Sequence, residues 1–362
     1  MTRLCEERRE SASAGRRGEP LGRTPAVTPE LLREYGDATR RAMEYYLDRE
    51  RPAPYLRDLV ADYPRRRGKM MRSSICIANA RAFGAPLENA ADVAAAIEIL
   101  QSGLLIHDDI QDGSVMRRSR PTLHTTHGVS LAINAGDATI MLAMRILTES
   151  LPWLGPITSQ RLLEQTYAMA RETAEGQALE LGWRDRDVVD VGVGDYLTMV
   201  LKKTAWLATI WPAQAGVLIG ARGAVDPDRV VRFGFFLGAA FQIQDDLLNM
   251  VADRAYGKEL NGDLYEGKRT LMLIHARAAC DAGERARLDA FLALRREERA
   301  DSEVAWLASL MRRLGSIAYA RAFADAMAGA ATHEFARAYG RLPPSRDKDF
   351  LAGLVPWVLE RT

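Results

Sequence analysis

Two acidic clusters, far apart in the chain, contain the side chains best suited to chemistry. In the first, Asp108, Asp109 and Asp112 follow an apolar run. In a helix, residues four apart share a face, so Asp108 and Asp112 would point the same way, with Asp109 about 100° round. Two carboxylates one turn apart repel each other unless a cation lies between them. Oxygen-only ligands suit Mg²⁺, which keeps several waters and takes phosphate as a further partner.

The second cluster repeats this pattern. Asp245 and Asp246 follow the apolar run 233–241, and Asn249 offers a polar oxygen one helical turn after Asp245. Carboxylates at the end of such a run are costly to bury unless a metal offsets their charge. Either cluster alone could be a solvated helix end. Because both adjoin apolar helices, the two together favour a metal site.

Basic residues grouped in four places indicate an anionic partner for these metals. Of the 49 basic residues only six are lysines, and all but Lys348 fall into these groups. A lysine offers a phosphate a compact point charge, whereas an arginine offers a planar fork. A lone arginine in so arginine-rich a chain is usually an exposed cation, so the lysines carry more weight. The groups are Lys69 with Arg72, Arg117 with Arg118, Lys202 and Lys203 before Thr204, and Lys258 with Lys268 around a glycine-containing loop.

The elements that must position these residues are predicted to be helices nearly throughout. Apolar residues recur every three to four positions over 89–107. Alternating β-branched runs bounded by hairpin turns are absent, so we predict an all-α fold. Further helices are predicted over 161–181, 196–210, 231–251, 269–280 and 304–340, with breaks at 117–121, 152–156, 184–195, Pro227 and 252–267.

Composition limits the classes of function. The chain has 362 residues, a net charge of +1 and 48% hydrophobic residues. This balance excludes a broad basic surface for nucleic acid or an anionic membrane. We expect a disordered tail over 1–27 and a single all-α domain over 28–362. The three cysteines lack metal or disulfide spacing, which favours reduced thiols and a cytoplasmic protein.

One uncharged stretch, 204–221, is long enough to suggest a membrane span. It contains Pro212 and Gln214, and a helix that is apolar all round is also what the centre of a large helical protein requires. We therefore predict a buried helix and no transmembrane segment.

Six segments together resemble the trans-isoprenyl diphosphate synthases, the polyprenyl synthetase family, over about residues 60–290. HDDIQDGSVMRRSRPTLH is similar to the first aspartate-rich motif with its arginine pair, and FQIQDDLLN to the second. RGKMMR and GKELNGDLYEGKRT resemble the upstream lysine element and the glycine/lysine loop. EGQALELGWRD is similar to a segment of eukaryotic-type geranylgeranyl diphosphate synthases, and the ending FLAGLVPWVLERT resembles bacterial members.

The resemblance implies the isoprenoid synthase fold, a helical bundle around a deep central cavity, in a homodimer. It implies that an allylic diphosphate (dimethylallyl, geranyl or farnesyl) is ionised with three Mg²⁺ ions and condensed with isopentenyl diphosphate to a linear trans-prenyl diphosphate. The implied Mg²⁺ ligands are Asp108, Asp112 and Asp245, supported by Asp109, Asp246 and Asp263. The implied contacts are Arg117, Lys203 and Lys268 for the allylic diphosphate, Lys69, Arg72, Arg118 and Gln101 for isopentenyl diphosphate, and Lys203, Thr204 and Gln242 for the carbocation. Lys258 is a further expected substrate contact, and Gln177 and Glu180 lie near the first motif.

Two features bear on how this chain departs from the family pattern. The second motif ends in Asn249 where many members have Asp, so we expect weaker support of the metal network with activity retained. In the family, residues four and five places before the first motif often set the cavity floor, here Leu104 and Gly103. Neither is aromatic, and we expect Gly103 to leave the cavity open, which favours growth to geranylgeranyl diphosphate (C20).

Three other functions share features with this sequence. A class I terpene cyclase shares the fold and first motif, but the sequence lacks the usual NDxxSxxxE second motif and retains the residues for isopentenyl diphosphate. An HD-type phosphohydrolase needs a histidine before His107, which is the first in the chain. A non-catalytic subunit would be expected to have lost carboxylates, and both clusters are intact.

Overall fold

The computed structural model describes residues 24–51, 53–66, 68–251 and 261–361, and these are almost entirely helical. The predicted all-α fold is confirmed. The α-helices are α1 Val27–Asp48, α2 Arg57–Arg65, α3 Met71–Ala82, α4 Glu88–Asp112, α5 Leu123–His127, α6 Val129–Leu154, α7 Pro156–Asp185, α8 Val193–Met199, α9 Trp211–Ala221, α10 Val231–Val251, α11 Gly262–Glu266, α12 Leu271–Ala279, α13 Ala282–Leu292, α14 Asp301–Arg313, α15 Ser316–Tyr339 and α16 Arg346–Glu360. A π-helix covers Val200–Ile210, 3₁₀ turns cover Pro227–Val230 and Arg296–Glu298, and strands β1 Met116–Arg117 and β2 Arg120–Pro121 form a hairpin.

Glycines in left-handed conformation set three helix boundaries. Helix α4 ends at Gly113 (φ 63°), directly after the first aspartate cluster. The segment 304–340, predicted as one helix, is divided at Gly315 (φ 73°). Helix α6 continues through Pro152 and ends before Gly155 (φ 80°), so the break is set by the glycine and not by the proline.

The predicted buried helix 204–221 is confirmed. Helix α8, the π-helix and α9 follow one another directly, and α9 lies inside the bundle with Trp211 and Val217 fully buried. Helix α3 approaches it closely, because a Cβ at Gly216 would lie 2.3 Å from the Cys76 carbonyl oxygen. Such close packing leaves α9 no lipid-facing surface on that side.

Two other helices, α4 and α6, are long and apolar enough to cross a membrane by length and composition. In α4, 72% of the most apolar window is buried within the protein, as in a core helix. In α6 the corresponding share is 39%, and Val129, Leu131, Ile133 and Met141 are exposed. Helix α6 therefore has apolar side chains that no described part of the chain covers.

The predicted N-terminal tail and the predicted substrate contact Lys258 both involve residues outside the described part of the chain. Thr24 belongs to the predicted tail, but its backbone N–H donates to the Glu360 carboxylate at 3.2 Å. The folded part thus begins before residue 28, and the predicted tail over 1–23 lies outside the described residues. Lys258 also lies outside them, in the segment 252–260.

Candidate active site

A cavity of about 810 Å³ extends into the bundle between α4, α7, the π-helix and α10. Asp108 on α4 and Asp245 on α10 both line it, so the fold brings the two aspartate clusters to one site. Further in, its wall is apolar. The apolar side chains are Leu100, Leu104, Leu105, Ile140, Met169, Ala170, Ala174, Ala178, Leu181, Met199, Leu207 and Phe241.

Asp108, Asp245 and Asp246 line this cavity, and the second aspartate of each pair is anchored by a tyrosine. Asp109 is fully buried and accepts a hydrogen bond from the Tyr63 hydroxyl at 2.5 Å and one from Arg117 Nε at 2.9 Å. Burial raises the pKa of Asp109, and the Arg117 guanidinium opposes that rise. Asp109 does not line the cavity. Asp109 holds Arg117, which does line the cavity, and its expected catalytic part stays a prediction.

Asp246 is held in the same manner on α10. The Tyr196 hydroxyl donates to one carboxylate oxygen at 2.8 Å and Gln242 Nε2 to the other at 2.7 Å. Burial raises the pKa of Asp246 to about 8, and repulsion from Asp263 adds to the rise. The Thr204 hydroxyl in turn donates to Gln242 Oε1 at 2.7 Å. This chain of hydrogen bonds fixes Thr204 and Gln242, the residues expected beside the carbocation.

The π-helix places Lys203 in the wall of the cavity. Single π-turns often occur at functional sites, because they redirect side chains within a helix. A Cβ at Gly176 on α7 would lie 2.2 Å from the Lys203 backbone nitrogen, so only glycine permits this approach. The Lys203 ammonium contacts Glu180 and lies 3.5 Å from Asp108. Lys202 points elsewhere and pairs with Glu172 and Glu175.

Lys268 joins the glycine/lysine loop to the first cluster. Its ammonium lies 2.6 Å from Glu266, 3.1 Å from Asp112 and 3.6 Å from Asp263. Burial would raise the pKa of Asp112, but the nearby lysines, Lys268 first, hold it well below its usual range. Asp112 therefore remains ionised beside Lys268.

Asn249 has a different role from the one expected. Its side chain is buried, and its amide oxygen accepts a hydrogen bond from the Asp263 backbone N–H at 3.1 Å. The backbone carbonyl oxygen of Asn249 accepts a second hydrogen bond, from the Asn261 backbone N–H, at 3.0 Å. Asn249 thus anchors the loop that carries Asp263 and Lys268, and an uncharged amide serves this purpose.

A second basic group lies on another part of the wall. Arg72, Arg118 and Gln101 line the cavity. In the described part of the chain, Arg72 Nε and Gln101 Oε1 are buried without a hydrogen-bond partner. Such atoms are costly unless a ligand satisfies them. Arg118 begins a two-residue turn between β1 and β2 with φ 53°, a left-handed conformation costing about 1–3 kcal/mol and typical of functional sites.

Lys69, expected in this second basic group, lies beside the cavity and not in its wall. Its ammonium is 5.6 Å from the centre of the Trp357 ring on the C-terminal helix. Burial and the Arg361 guanidinium lower the pKa of Lys69. Arg361 lies 3.4 Å from Asp245 and stacks on Phe241. The C-terminal residues therefore contact both Lys69 and the second aspartate cluster.

Comparisons with known proteins decide the family. The family model described as polyprenyl synthetase matches residues 53–311. The chain belongs to the polyprenyl synthetase family. A geranylgeranyl pyrophosphate synthase from Geoglobus acetivorans is 33% identical over 68% of this chain and 76% of that protein. A geranylfarnesyl diphosphate synthase from Aeropyrum pernix is 35% identical over 58% of this chain and 66% of that protein. The crystal structure of a geranylgeranyl pyrophosphate synthetase from Pyrococcus horikoshii superposes with a TM-score of 0.80 at 29% identity, covering 92% of this chain and 99% of that one.

This polyprenyl synthetase belongs to a metal-dependent family, and its donor set fits Mg²⁺. Among the described residues, no three acidic, histidine or cysteine side chains converge closely enough to hold a metal alone. Mg²⁺ is usually held by one or two carboxylates together with substrate phosphates. Asp108 and Asp245 line the cavity and suit that mode, in which a bound diphosphate completes the coordination. The third expected ligand, Asp112, does not line the cavity and lies one helical turn after Asp108, 3.1 Å from the Lys268 ammonium.

The two residues expected to set the length of the product, Gly103 and Leu104, lie in different surroundings in the structure. Leu104 lines the cavity, but Gly103 does not. A Cβ at Gly103 would lie 2.7 Å from Ile140 Cγ1 and 2.9 Å from the Gly136 carbonyl oxygen on α6. The expectation that Gly103 opens the cavity is therefore corrected: it is a glycine because α4 and α6 touch there.

Proposed function

We propose that this polyprenyl synthetase condenses an allylic diphosphate with isopentenyl diphosphate to give a linear trans-prenyl diphosphate. The observation that carries the proposal is that two separate basic groups share one cavity with both aspartate clusters. Arg117, Lys203 and Lys268 lie with Asp108, whereas Arg72 and Arg118 form the second group. Two groups suit two diphosphates, and the apolar wall beyond them suits a hydrocarbon chain.

In the proposed mechanism the first basic group holds the diphosphate that leaves the allylic carbon. Bound Mg²⁺ would neutralise the charge that develops on this leaving group. Arg117, Lys203 and Lys268 stabilise the same charge through fixed, partly buried cations. The allylic C–O bond breaks, and Gln242 and the Thr204 hydroxyl oxygen face the resulting cation with partial negative charge.

The second basic group orients the other substrate. Arg72, Arg118 and Gln101 hold isopentenyl diphosphate with its double bond towards the cation, so that the new C–C bond forms. The proton lost from the adjacent carbon passes to the departed diphosphate. The apolar wall excludes water, which would otherwise quench the cation.

We propose geranylgeranyl diphosphate as the product. Along α4 the cavity is lined as far as Leu100, eight residues before Asp108, which is about 12 Å of helix. No phenylalanine, tyrosine or tryptophan of α4 narrows this path, because the lining residues between them are Gln101, Leu104, Leu105 and His107. The relatives named for geranylgeranyl and geranylfarnesyl products support a chain of this length or slightly longer. Chromatographic sizing of the dephosphorylated product tests it: a C15 product would overturn the assignment.

We propose that the protein is a cytoplasmic homodimer. Helix α6 exposes Val129, Leu131, Ile133 and Met141 among polar residues, and a second copy would cover these apolar side chains. Cys76 and Cys280 are buried free thiols, as expected in a reducing compartment. Light scattering coupled to gel filtration tests the dimer. A monomer at micromolar concentration would contradict it.

A further inference from the structure

Arg184 connects the last turn of α7 to the end of the first aspartate cluster, although it does not line the cavity. One guanidinium nitrogen donates to Asp112 Oδ1 at 3.1 Å. Another donates to the Gln111 carbonyl oxygen at 2.8 Å. Arg184 lies in the segment EGQALELGWRD, and neither the substrate sites nor the mechanism above uses it.

The two oxygens of Asp112 have different partners. Oδ1 accepts from Arg184, whereas Oδ2 lies 3.1 Å from the Lys268 ammonium. The side chain of Asp112 is only 2% exposed, so water cannot replace either partner freely. Arg184 therefore restricts rotation of the carboxylate and leaves Oδ2 directed towards the loop that carries Lys268.

Arg184 also holds the backbone at the end of α4 through its hydrogen bond to the Gln111 carbonyl. Asp112 is the last residue of α4, and the last four carbonyls of a helix have no partner within it. Arg184 satisfies one of them and so holds the final turn on which Asp112 is carried. A guanidinium presents its donors in a rigid planar fork and so holds two acceptors in a fixed geometry, whereas a lysine offers a flexible point charge.

We propose that Arg184 is a positioning residue for Asp112. It fixes Asp112 for metal binding by donating hydrogen bonds to the Asp112 carboxylate and to the Gln111 backbone carbonyl. The proposal rests on the proposed function in that Asp112 serves as a Mg²⁺ ligand. Residues that hydrogen-bond to metal ligands typically contribute about 10–100-fold to metal affinity. Arg184 acts through Asp112 and does not touch the substrate.

The test compares Arg184→Gln with Arg186→Gln, which removes the same charge from an exposed arginine two residues away. Mn²⁺ binding in the presence of inorganic diphosphate is followed by electron paramagnetic resonance. Amide hydrogen exchange of the segment 105–116 is measured in metal-free protein. The Mg²⁺ concentration for half-maximal activity is measured with both substrates.

For Arg184→Gln we expect roughly tenfold weaker Mn²⁺ binding, faster exchange in 105–116 and a correspondingly higher Mg²⁺ requirement, with the KM for isopentenyl diphosphate unchanged. Arg186→Gln should match the wild type in all four. Equal Mn²⁺ binding in the two variants would overturn the proposal, as would unchanged exchange.

Arg184→Lys covers the case in which the glutamine variant fails to fold. It keeps the charge but lacks the rigid planar fork, so it should bind Mn²⁺ with intermediate affinity, and wild-type affinity would count against the proposal. Failure of the proposed function is distinguishable, because it would appear as a wild-type protein that forms no prenyl product. Mn²⁺ binding and hydrogen exchange do not depend on turnover.

Discussion

Substitutions at Gly103 and Leu104 separate helix packing from control of product length, although the two residues are adjacent. A methyl group at Gly103 would meet Ile140 Cγ1 at 2.7 Å and the Gly136 oxygen at 2.9 Å, against about 3.5–4.0 Å for a comfortable contact. Helices α4 and α6 must then move apart. Overpacking of this kind costs about 1–3 kcal/mol. At roughly 2–4 °C per kcal/mol, Gly103→Ala should lower the melting temperature by about 2–12 °C.

Leu104→Phe should behave in the opposite way. Its side chain points into the cavity, so a larger ring should shorten the product while the melting temperature changes little. Both variants are measured by thermal unfolding and by chromatography of the dephosphorylated product. Gly103→Ala should leave product length unchanged. The reasoning is refuted if Gly103→Ala shortens the product at wild-type stability, or if an active Leu104→Phe makes the wild-type product.

Three further predictions concern the anchoring residues and the exposed helix face. Tyr196→Phe removes one of the hydrogen-bond donors to the buried Asp246 carboxylate, which costs about 1–3 kcal/mol. Steady-state kinetics should therefore show a kcat at least about fivefold lower, and an unchanged kcat would contradict this role. Trp357→Leu removes a cation–π contact worth about 0.5–1 kcal/mol from Lys69, an expected contact of isopentenyl diphosphate. The KM for isopentenyl diphosphate should therefore rise roughly two- to fivefold at constant kcat, and a fall in kcat alone would contradict this role of Trp357. Met141→Glu should convert the dimer to monomer in light scattering, and a persistent dimer would place the interface elsewhere.

The chemistry-bearing residues could be predicted from the sequence because their spacing is local. Helical periodicity and the acidic clusters predicted that Asp108 and Asp245 end apolar helices, and the fold brings both to one cavity. The residues that hold the clusters could not be found in this way. Tyr63 lies 46 residues before Asp109, and Tyr196 lies 50 residues before Asp246. A lone tyrosine gives no signal until tertiary packing supplies its partner.

The error at Gly103 has a similar physical origin. Periodicity places a residue on a helix face, but it does not say whether a cavity or a second helix faces that side. The Asn249 amide likewise binds a backbone N–H of a loop that is 14 residues away in sequence, so its role depends on a turn that spacing does not reveal.

The central claim is tested most directly by incubating the purified protein with Mg²⁺, farnesyl diphosphate and isopentenyl diphosphate. Inorganic diphosphate release and radiolabelled product are measured together. The account predicts one diphosphate released for each isopentenyl unit consumed and a linear C20 prenyl diphosphate as the product. Cyclic hydrocarbon as the only product, or diphosphate release without consumption of isopentenyl diphosphate, would contradict it.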